Sequence, residues 1–326
     1  MGLHILLGLI GFVLLYYGAE WLVKGSSSLA RSLGITPIVI GLTVVAFGTS
    51  TPELVVSVVS AVKSKSMIAV GNVVGSNICN IALVLGISAL FHPITSHPAV
   101  VRRDIPIMVG VTVYLLVLSM NSHLGRLEGL SLVLGVIGYT FMNYYWARKC
   151  PSCESGNRVS ALAGEVAEIG YVPERSRQLL MIVLGVAGVV GGAELVVDMA
   201  VIVMTALGVS EKFIGLTIVA FGTSLPELAT SLVAAVRKEM DISIGNLVGS
   251  NVFNLLSVLG LSALVRPITI PGGFFASGLW IDYMVMIVIS ALPYVMMRKD
   301  FTVSRKNGGV LLACYLLYLA YLVIRR

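Results

Sequence analysis

The sequence predicts an all-α integral membrane protein with ten transmembrane helices in two inverted five-helix repeats. Three observations carry that expectation. The 326 residues are 57% hydrophobic and only 12% charged, with a mean hydropathy of +0.96, whereas soluble domains average roughly 25% charged. Ten segments approach the roughly 20 apolar residues that a bilayer crossing needs. Residues 41–95 also align with 215–269 at a constant offset of 174, without a gap and with 33 identities in 55 positions. A long internal repeat constrains architecture more than any local propensity.

The spans are read at about 3–23, 36–61, 69–91, 105–121, 127–146, 178–203, 210–236, 243–265, 277–297 and 308–324. The first lacks a basic leading region, since the first Lys or Arg is Lys24. Its Gly18-Ala19-Glu20 recurs as Gly192-Ala193-Glu194. It is therefore read as a retained span and not as a cleaved signal. Residues 1–146 form the first repeat, 147–177 a polar linker of mixed charge, and 178–326 the second repeat. Each repeat holds five spans, an odd number, so the second enters the bilayer in the opposite sense. Tyr16, Tyr17, Trp21, Tyr144, Tyr145, Trp146 and Trp280 lie near span ends and read as interface anchors.

The net charge of +6 is a topology signal. Sorted by connection, 15 of the 22 Lys and Arg residues fall on one side and 7 on the other. The richer side is cytoplasmic by the positive-inside rule. Both termini then lie outside and the 147–177 loop inside. Spans and short connections leave no room for a soluble catalytic domain, and the charge suggests no nucleic-acid partner. No obligatory protein partner or resident cofactor is indicated. Cys79 and Cys314 sit in spans as packing residues, and Cys150 and Cys153 read as an incidental reduced pair in the linker.

Within the repeats, two blocks concentrate the chemistry. GLTVVAFGTSTPELVVSVVSAV runs from Gly41 to Val62, and GLTIVAFGTSLPELATSLVAAV from Gly215 to Val236. Each places a proline and a glutamate, Pro52-Glu53 and Pro226-Glu227, at membrane depth. An ionisable residue there is costly and reads as functional. Proline has no N–H and crowds the carbonyl four residues back, so Gly48 and Gly222 are expected to carry loosened carbonyls. The second block is GNVVGSNICN (Gly71–Asn80) and GNLVGSNVFN (Gly245–Asn254). Its GxxxG spacing suits close helix approach in lipid, and Ser76/Asn80 and Ser250/Asn254 share a helix face. Glu20, with Lys24 four residues on, reads as a surface or packing residue.

The resulting oxygen set suits hard cations. It comprises the carboxylates of Glu53 and Glu227, the hydroxyls of Thr49, Ser50, Thr223, Ser224, Ser76 and Ser250, and the amides of Asn80 and Asn254. Asn77 and Asn251 are supporting candidates. No histidine accompanies them, so transition-metal binding looks poor. Two buried carboxylates that lose solvation attract cations or protons. One Ca²⁺ neutralises them, as do two or more Na⁺ or two H⁺, and competition for the pair is a physical route to exchange.

GTSTPE with GSNICN, and GTSLPE with GSNVFN, closely resemble the paired repeats of the sodium/calcium exchanger family within the cation/calcium antiporters. The resemblance covers essentially the whole chain, without the regulatory calcium domains of large eukaryotic relatives. It implies Na⁺-driven Ca²⁺ movement by alternating access, with ions held between the second, third, seventh and eighth spans. By that resemblance Glu53 and Glu227 are the Ca²⁺ carboxylates. Thr49, Thr223 and the backbone of Ala46 and Ala220 complete the Ca²⁺ and Na⁺ positions. Ser76 and Ser250 help hold flanking Na⁺ ions, Asn80 and Asn254 line the centre, and the first and sixth spans slide. Several members carry Asp where this chain has Asn254, so these motifs supply at most two negative charges.

Proton-coupled Ca²⁺ antiport through the same residues is the alternative. A cation channel would lack a ring of subunits here, and an intramembrane phosphohydrolase would want Lys or Arg beside the carboxylates. Compactness suggests a prokaryotic plasma membrane.

Overall fold

The computed structural model describes residues 2–149, 171–207 and 220–324. The first half contains α1 (Gly2–Leu33), α2 (Pro37–Ile40), α3 (Ala46–Thr49), α4 (Thr51–Val62), α5 (Ser66–Ile78), α6 (Gly86–Phe91), α7 (Ile105–Ser119) and α8 (Arg126–Lys149). The second contains α9 (Arg175–Ala206), α10 (Ala220–Gly222), α11 (Leu225–Val236), α12 (Met240–Phe253), α13 (Leu259–Val265), α14 (Leu279–Met297) and α15 (Arg305–Ile324). Wide i→i+5 turns occupy Gly41–Val45, Cys79–Leu85, Val100–Asp104 and Asn254–Val258. Such bulges concentrate at functional sites.

Among the described residues, six helices are long and apolar enough to cross a membrane, or seven if the bent pair Pro37–Thr49 and Thr51–Val62 is one span. The expected spans at 105–121 and 127–146 are helices α7 and α8. The one at 210–236 begins outside the described residues and continues as α11. Helix α1 runs ten residues past its expected end because Ser26, Ser27 and Ser28 are buried against protein at 0–2% exposure. The Ser27 hydroxyl donates to Glu239, and Ser28 accepts from the Val172 amide. Helix α9 begins at Arg175, inside the stretch read as linker.

The chain divides into two compact units, one of residues 1–49 with 139–246 and one of 50–138 with 247–326. Each takes pieces of both repeats.

The first unit is built on α1 against α9. A Cβ at Gly11 would stand 2.9 Å from the Gly192 carbonyl, one at Gly18 2.7 Å from the Val189 nitrogen, and one at Gly25 2.9 Å from the Gln178 carbonyl. Rising numbers meet falling ones, so the helices run antiparallel. Only glycine permits such backbone approach. The contacts are also reciprocal. Adding 174 to Gly11 gives Gly185, and subtracting 174 from Gly192 gives Gly18, so the Gly11–Gly192 contact maps onto Gly18–Gly185. This is the signature of two equivalent segments packed about a local twofold. Leu15, Ala19, Leu22 and Val23 of α1 join Val189 and Ala193 of α9, with Ala234 and Ile242, in one apolar core.

The second unit repeats that reciprocity. Gly86 packs on the Gly308 carbonyl and Gly260 on the Gly129 carbonyl, at 3.1 Å from a Cβ in each case. Two short ladders pair Ile94–Thr95 (β1) with Thr302–Val303 (β4) and His123–Leu124 (β2) with Ile268–Thr269 (β3). The offset is 268 − 94 = 174 for β1 and β3 but 302 − 123 = 179 for β2 and β4. The five additional residues fall after Thr269, where Gly272, Gly273 and Gly278 turn the chain at positive φ. The buried Tyr283 hydroxyl pairs with that of Ser119 at 2.9 Å.

Candidate functional site

Both GTSxPE segments fold alike. Helix α3 ends at Thr49, Ser50 leaves the helix (φ −81°, ψ 9°), and α4 starts at Thr51 after a bend of 46°. In the second repeat Ser224 takes φ −91°, ψ 4° between α10 and α11. Pro52 and Pro226 therefore stand in the first turn of a new helix, where a missing N–H costs nothing. The interruption falls at Ser50 and Ser224, two residues before each proline. Gly48 and Gly222 also serve close packing. A Cβ at Gly48 would stand 2.7 Å from a Val186 methyl of α9, and one at Gly222 would overlap Val197.

The break puts Glu53 and Glu227 in the first turns of α4 and α11, and both are completely buried. Burying a carboxylate this completely is costly unless it is paired or ligated.

In the first unit, the Thr49 hydroxyl donates to Asn246 Oδ1 at 3.0 Å and approaches the Ala46 carbonyl at 3.4 Å. Asn246 Nδ2 donates to Ser231 Oγ at 3.0 Å, and Ser243 Oγ to the Ser231 carbonyl at 2.9 Å. Glu227, Ser224, Thr230, Ser231, Ser243 and Asn246 are all fully buried. The hydroxyls of Thr223 and Ser224 have no hydrogen-bond partner among the described residues. The helical backbone at Ala220 is described, while its side chain and residues 215–219 lie outside the described set.

In the second unit, Asn72 Nδ2 donates to the Glu53 carbonyl at 3.2 Å and to Ser57 Oγ at 2.9 Å. Ser50, Ser76 and Ser250 are buried at 3%, 2% and 0%. Asn77, Asn80, Asn251 and Asn254 form one buried amide cluster. The Ser76 hydroxyl, Asn80 Oδ1 and Asn254 Oδ1 have no hydrogen-bond partner among the described residues.

Sequence reasoning missed Asn72, Asn246, Ser57 and Ser231. The signal was present: both pairs are identical across the repeat, at 246 − 72 = 174 and 231 − 57 = 174. Close approach by GxxxG is realised at Gly245, whose Cβ would stand 2.9 Å from the Ile38 carbonyl, whereas Gly71 and Gly75 meet no described atom within 4 Å. Glu20 pairs with Arg237 and not with Lys24, and Glu194 and Asp198 are exposed on α9. Cys150 and Cys153 lie outside the described residues. No three His, Cys, Asp or Glu side chains cluster among those described.

The sequence matches the family described as "Sodium/calcium exchanger protein" over residues 3–145 and 177–324, nearly the whole chain. The protein belongs to the sodium/calcium exchanger family. Among related proteins, this exchanger-family chain is 32% identical to the sodium/calcium exchanger MaX1 of Methanosarcina acetivorans, over 98% of each chain. It is 34% identical to the inner membrane protein YrbG of Escherichia coli K12, over 96% of this chain and 95% of YrbG. Its fold matches the solved structure of the sodium-calcium exchanger NCX_Mj soaked with 2.5 mM Na⁺ and 0.1 mM Ca²⁺, with a TM-score of 0.82, 32% identity and 98% of both chains covered.

Proposed function

We propose that Glu53 and Glu227 are the carboxylates through which this exchanger-family member moves Ca²⁺ against Na⁺. The activity is secondary antiport: a Na⁺ gradient drives Ca²⁺ across the membrane by alternating access, and no bond is made or broken. The observation that carries the residue assignment is a fully buried glutamate in the first turn of a half-helix, repeated once in each repeat. Oxygen ligands surround this chemistry in both units: Thr49, Thr223, Ser224 and the backbone of Ala46 and Ala220 in the first, Ser50, Ser76, Ser250, Asn80 and Asn254 in the second. Asn77 and Asn251 support the amides.

Hydroxyl, amide and carbonyl oxygens suit Na⁺ and Ca²⁺, which accept an all-oxygen shell. A proton needs none of them beyond the carboxylates, where it competes. One Ca²⁺ neutralises two carboxylates, as do two Na⁺. No resident cofactor is required. We also read the chain as two repeats, 1–146 and 178–326, joined by a cytoplasmic 147–177 linker in a prokaryotic plasma membrane. Both termini then lie outside, and no protein partner is obligatory.

The test is radiolabelled Ca²⁺ uptake into proteoliposomes loaded with Na⁺, beside K⁺-loaded and pH-jumped controls. Uptake should require the outward Na⁺ gradient and vanish in Glu53→Gln and Glu227→Gln. Uptake that survives both substitutions would remove the two carboxylates from the mechanism.

A further inference from the structure

The buried amide cluster of the second unit has a cross-wired pattern. Asn77 Nδ2 donates to the Asn251 carbonyl at 3.3 Å, and Asn251 Nδ2 donates to the Asn77 carbonyl at 3.2 Å. Their side-chain oxygens are used too. Asn80 Nδ2 donates to Asn251 Oδ1 at 3.1 Å, and Asn254 Nδ2 to Asn77 Oδ1 at 3.2 Å. Each bond maps onto another under the offset of 174, so the four residues form a reciprocal set.

The consequence lies in what remains. An asparagine side chain offers two donors and one acceptor oxygen. In Asn80 and Asn254 the nitrogen is held from the other repeat, while Oδ1 is buried and has no hydrogen-bond partner among the described residues. A buried acceptor without a partner is expensive, and a cation relieves that cost. The held nitrogen fixes which way the amide points.

We infer that Asn77 and Asn251 are positioning residues that act in trans between the repeats. Asn251 of the second repeat orients the Asn80 oxygen of the first, and Asn77 of the first orients the Asn254 oxygen of the second. The ligand strength of each amide is thereby set by the opposite half of the sequence. This rests on the reading that the Asn80 and Asn254 oxygens face the transported cations.

The experiment is Na⁺-driven Ca²⁺ uptake in proteoliposomes, with KM for Ca²⁺ and maximal rate measured for Asn80→Ala, Asn251→Ala, Asn254→Ala and the double variants. Outer partners of metal ligands typically change affinity by about 10–100-fold. Asn251→Ala should raise KM by about tenfold, with maximal rate within about threefold. Combined with Asn80→Ala it should add no further loss, because the residue it serves is already gone. Combined with Asn254→Ala, its sequence neighbour, the two KM effects should multiply.

Independent, multiplying effects of Asn251→Ala and Asn80→Ala would overturn the trans assignment while leaving the amides as ligands. An unchanged KM in both Asn80→Ala and Asn254→Ala would instead overturn the underlying reading. If Asn251→Ala does not assemble, Asn77→Ala reads the mirror contact and must be non-additive with Asn254→Ala. Failure of both to fold would assign the pair to structure alone and overturn the inference.

Discussion

The hydroxyl of Thr49, at the end of one half-helix, donates to Asn246 Oδ1 of α12 at 3.0 Å, and the Asn246 nitrogen is itself tied to Ser231. In the ligand role proposed for Thr49, this bond to Asn246 holds the hydroxyl in place. Asn246→Ala should therefore raise KM for Ca²⁺ by about tenfold, the low end for an outer partner of a metal ligand. Asn246→Asp keeps the acceptor for Thr49 and loses the donor to Ser231, so it should fall between parent and Ala. Uptake kinetics in proteoliposomes check the order of the three.

Glycine positions on α9 should divide sharply. A Cβ at Gly185 would stand 2.6 Å from the Leu22 nitrogen of α1, whereas one at Gly191 meets no described atom within 4 Å. Gly185→Ala should destabilise by about 1–3 kcal/mol or more through overpacking against backbone. Gly191→Ala should be neutral or stabilising by up to about 1 kcal/mol, as alanine improves helix propensity. Thermal unfolding of the purified protein in detergent reads both.

The two ion pairs at the 237–239 turn are unequal. Glu239, with a side chain 12% exposed, accepts from Ser27 at 2.7 Å and Arg31 at 2.8 Å. Glu20 meets Arg237 where both side chains are about one-third exposed. Glu239→Gln should cost roughly 1.5–3 kcal/mol, as expected for charged hydrogen bonds, and Glu20→Gln no more than about 1 kcal/mol. Added salt should shrink the smaller difference first, measured by unfolding at low and high ionic strength.

Asn254→Asp replaces a donor with an acceptor at the 3.2 Å contact with Asn77 Oδ1. Two acceptors would then face each other in a buried site, so the ion-free protein should lose about 1–3 kcal/mol. Added Ca²⁺ should recover more stability than in the parent, because the new carboxylate binds it. Unfolding temperatures with and without Ca²⁺ decide this, and equal Ca²⁺ stabilisation in parent and variant would count against a ligand role for residue 254.

Pro52→Ala tests the origin of the helix break. Pro52 occupies the first turn of α4, where its missing N–H interrupts no helical bond. Transport should fall less than about tenfold, well short of the loss in Glu53→Gln, because Ser50 and not the proline leaves the helix. Loss of transport comparable to Glu53→Gln would return the break to the proline.

Much of the candidate site was legible because it is written twice. A glutamate at membrane depth is expensive, and its recurrence at an offset of 174 with the same Gly-Thr-Ser and Pro neighbours marks Glu53 and Glu227 without any coordinates. The partners Asn72 and Asn246 were equally repeated, yet they read as ordinary helix residues. Nothing in a sequence says that Asn246 reaches Thr49, 197 positions away. The reach of α1 was hidden for a related reason: Ser26, Ser27 and Ser28 look like the end of an apolar span until protein, and not lipid, is seen to cover them.

By itself the sequence determined the membrane setting, the internal repeat, and the oxygen-rich chemistry of the repeated blocks. These are local or periodic properties, set by hydrophobicity, charge and identity along the chain. Only the tertiary structure decided where the helices break, which glycines touch backbone, and which asparagine holds which. Those outcomes depend on distances between residues remote in sequence. A hydrogen bond such as Asn80 to Asn251 exists only when two helices bring its donor and acceptor within about 3 Å of each other.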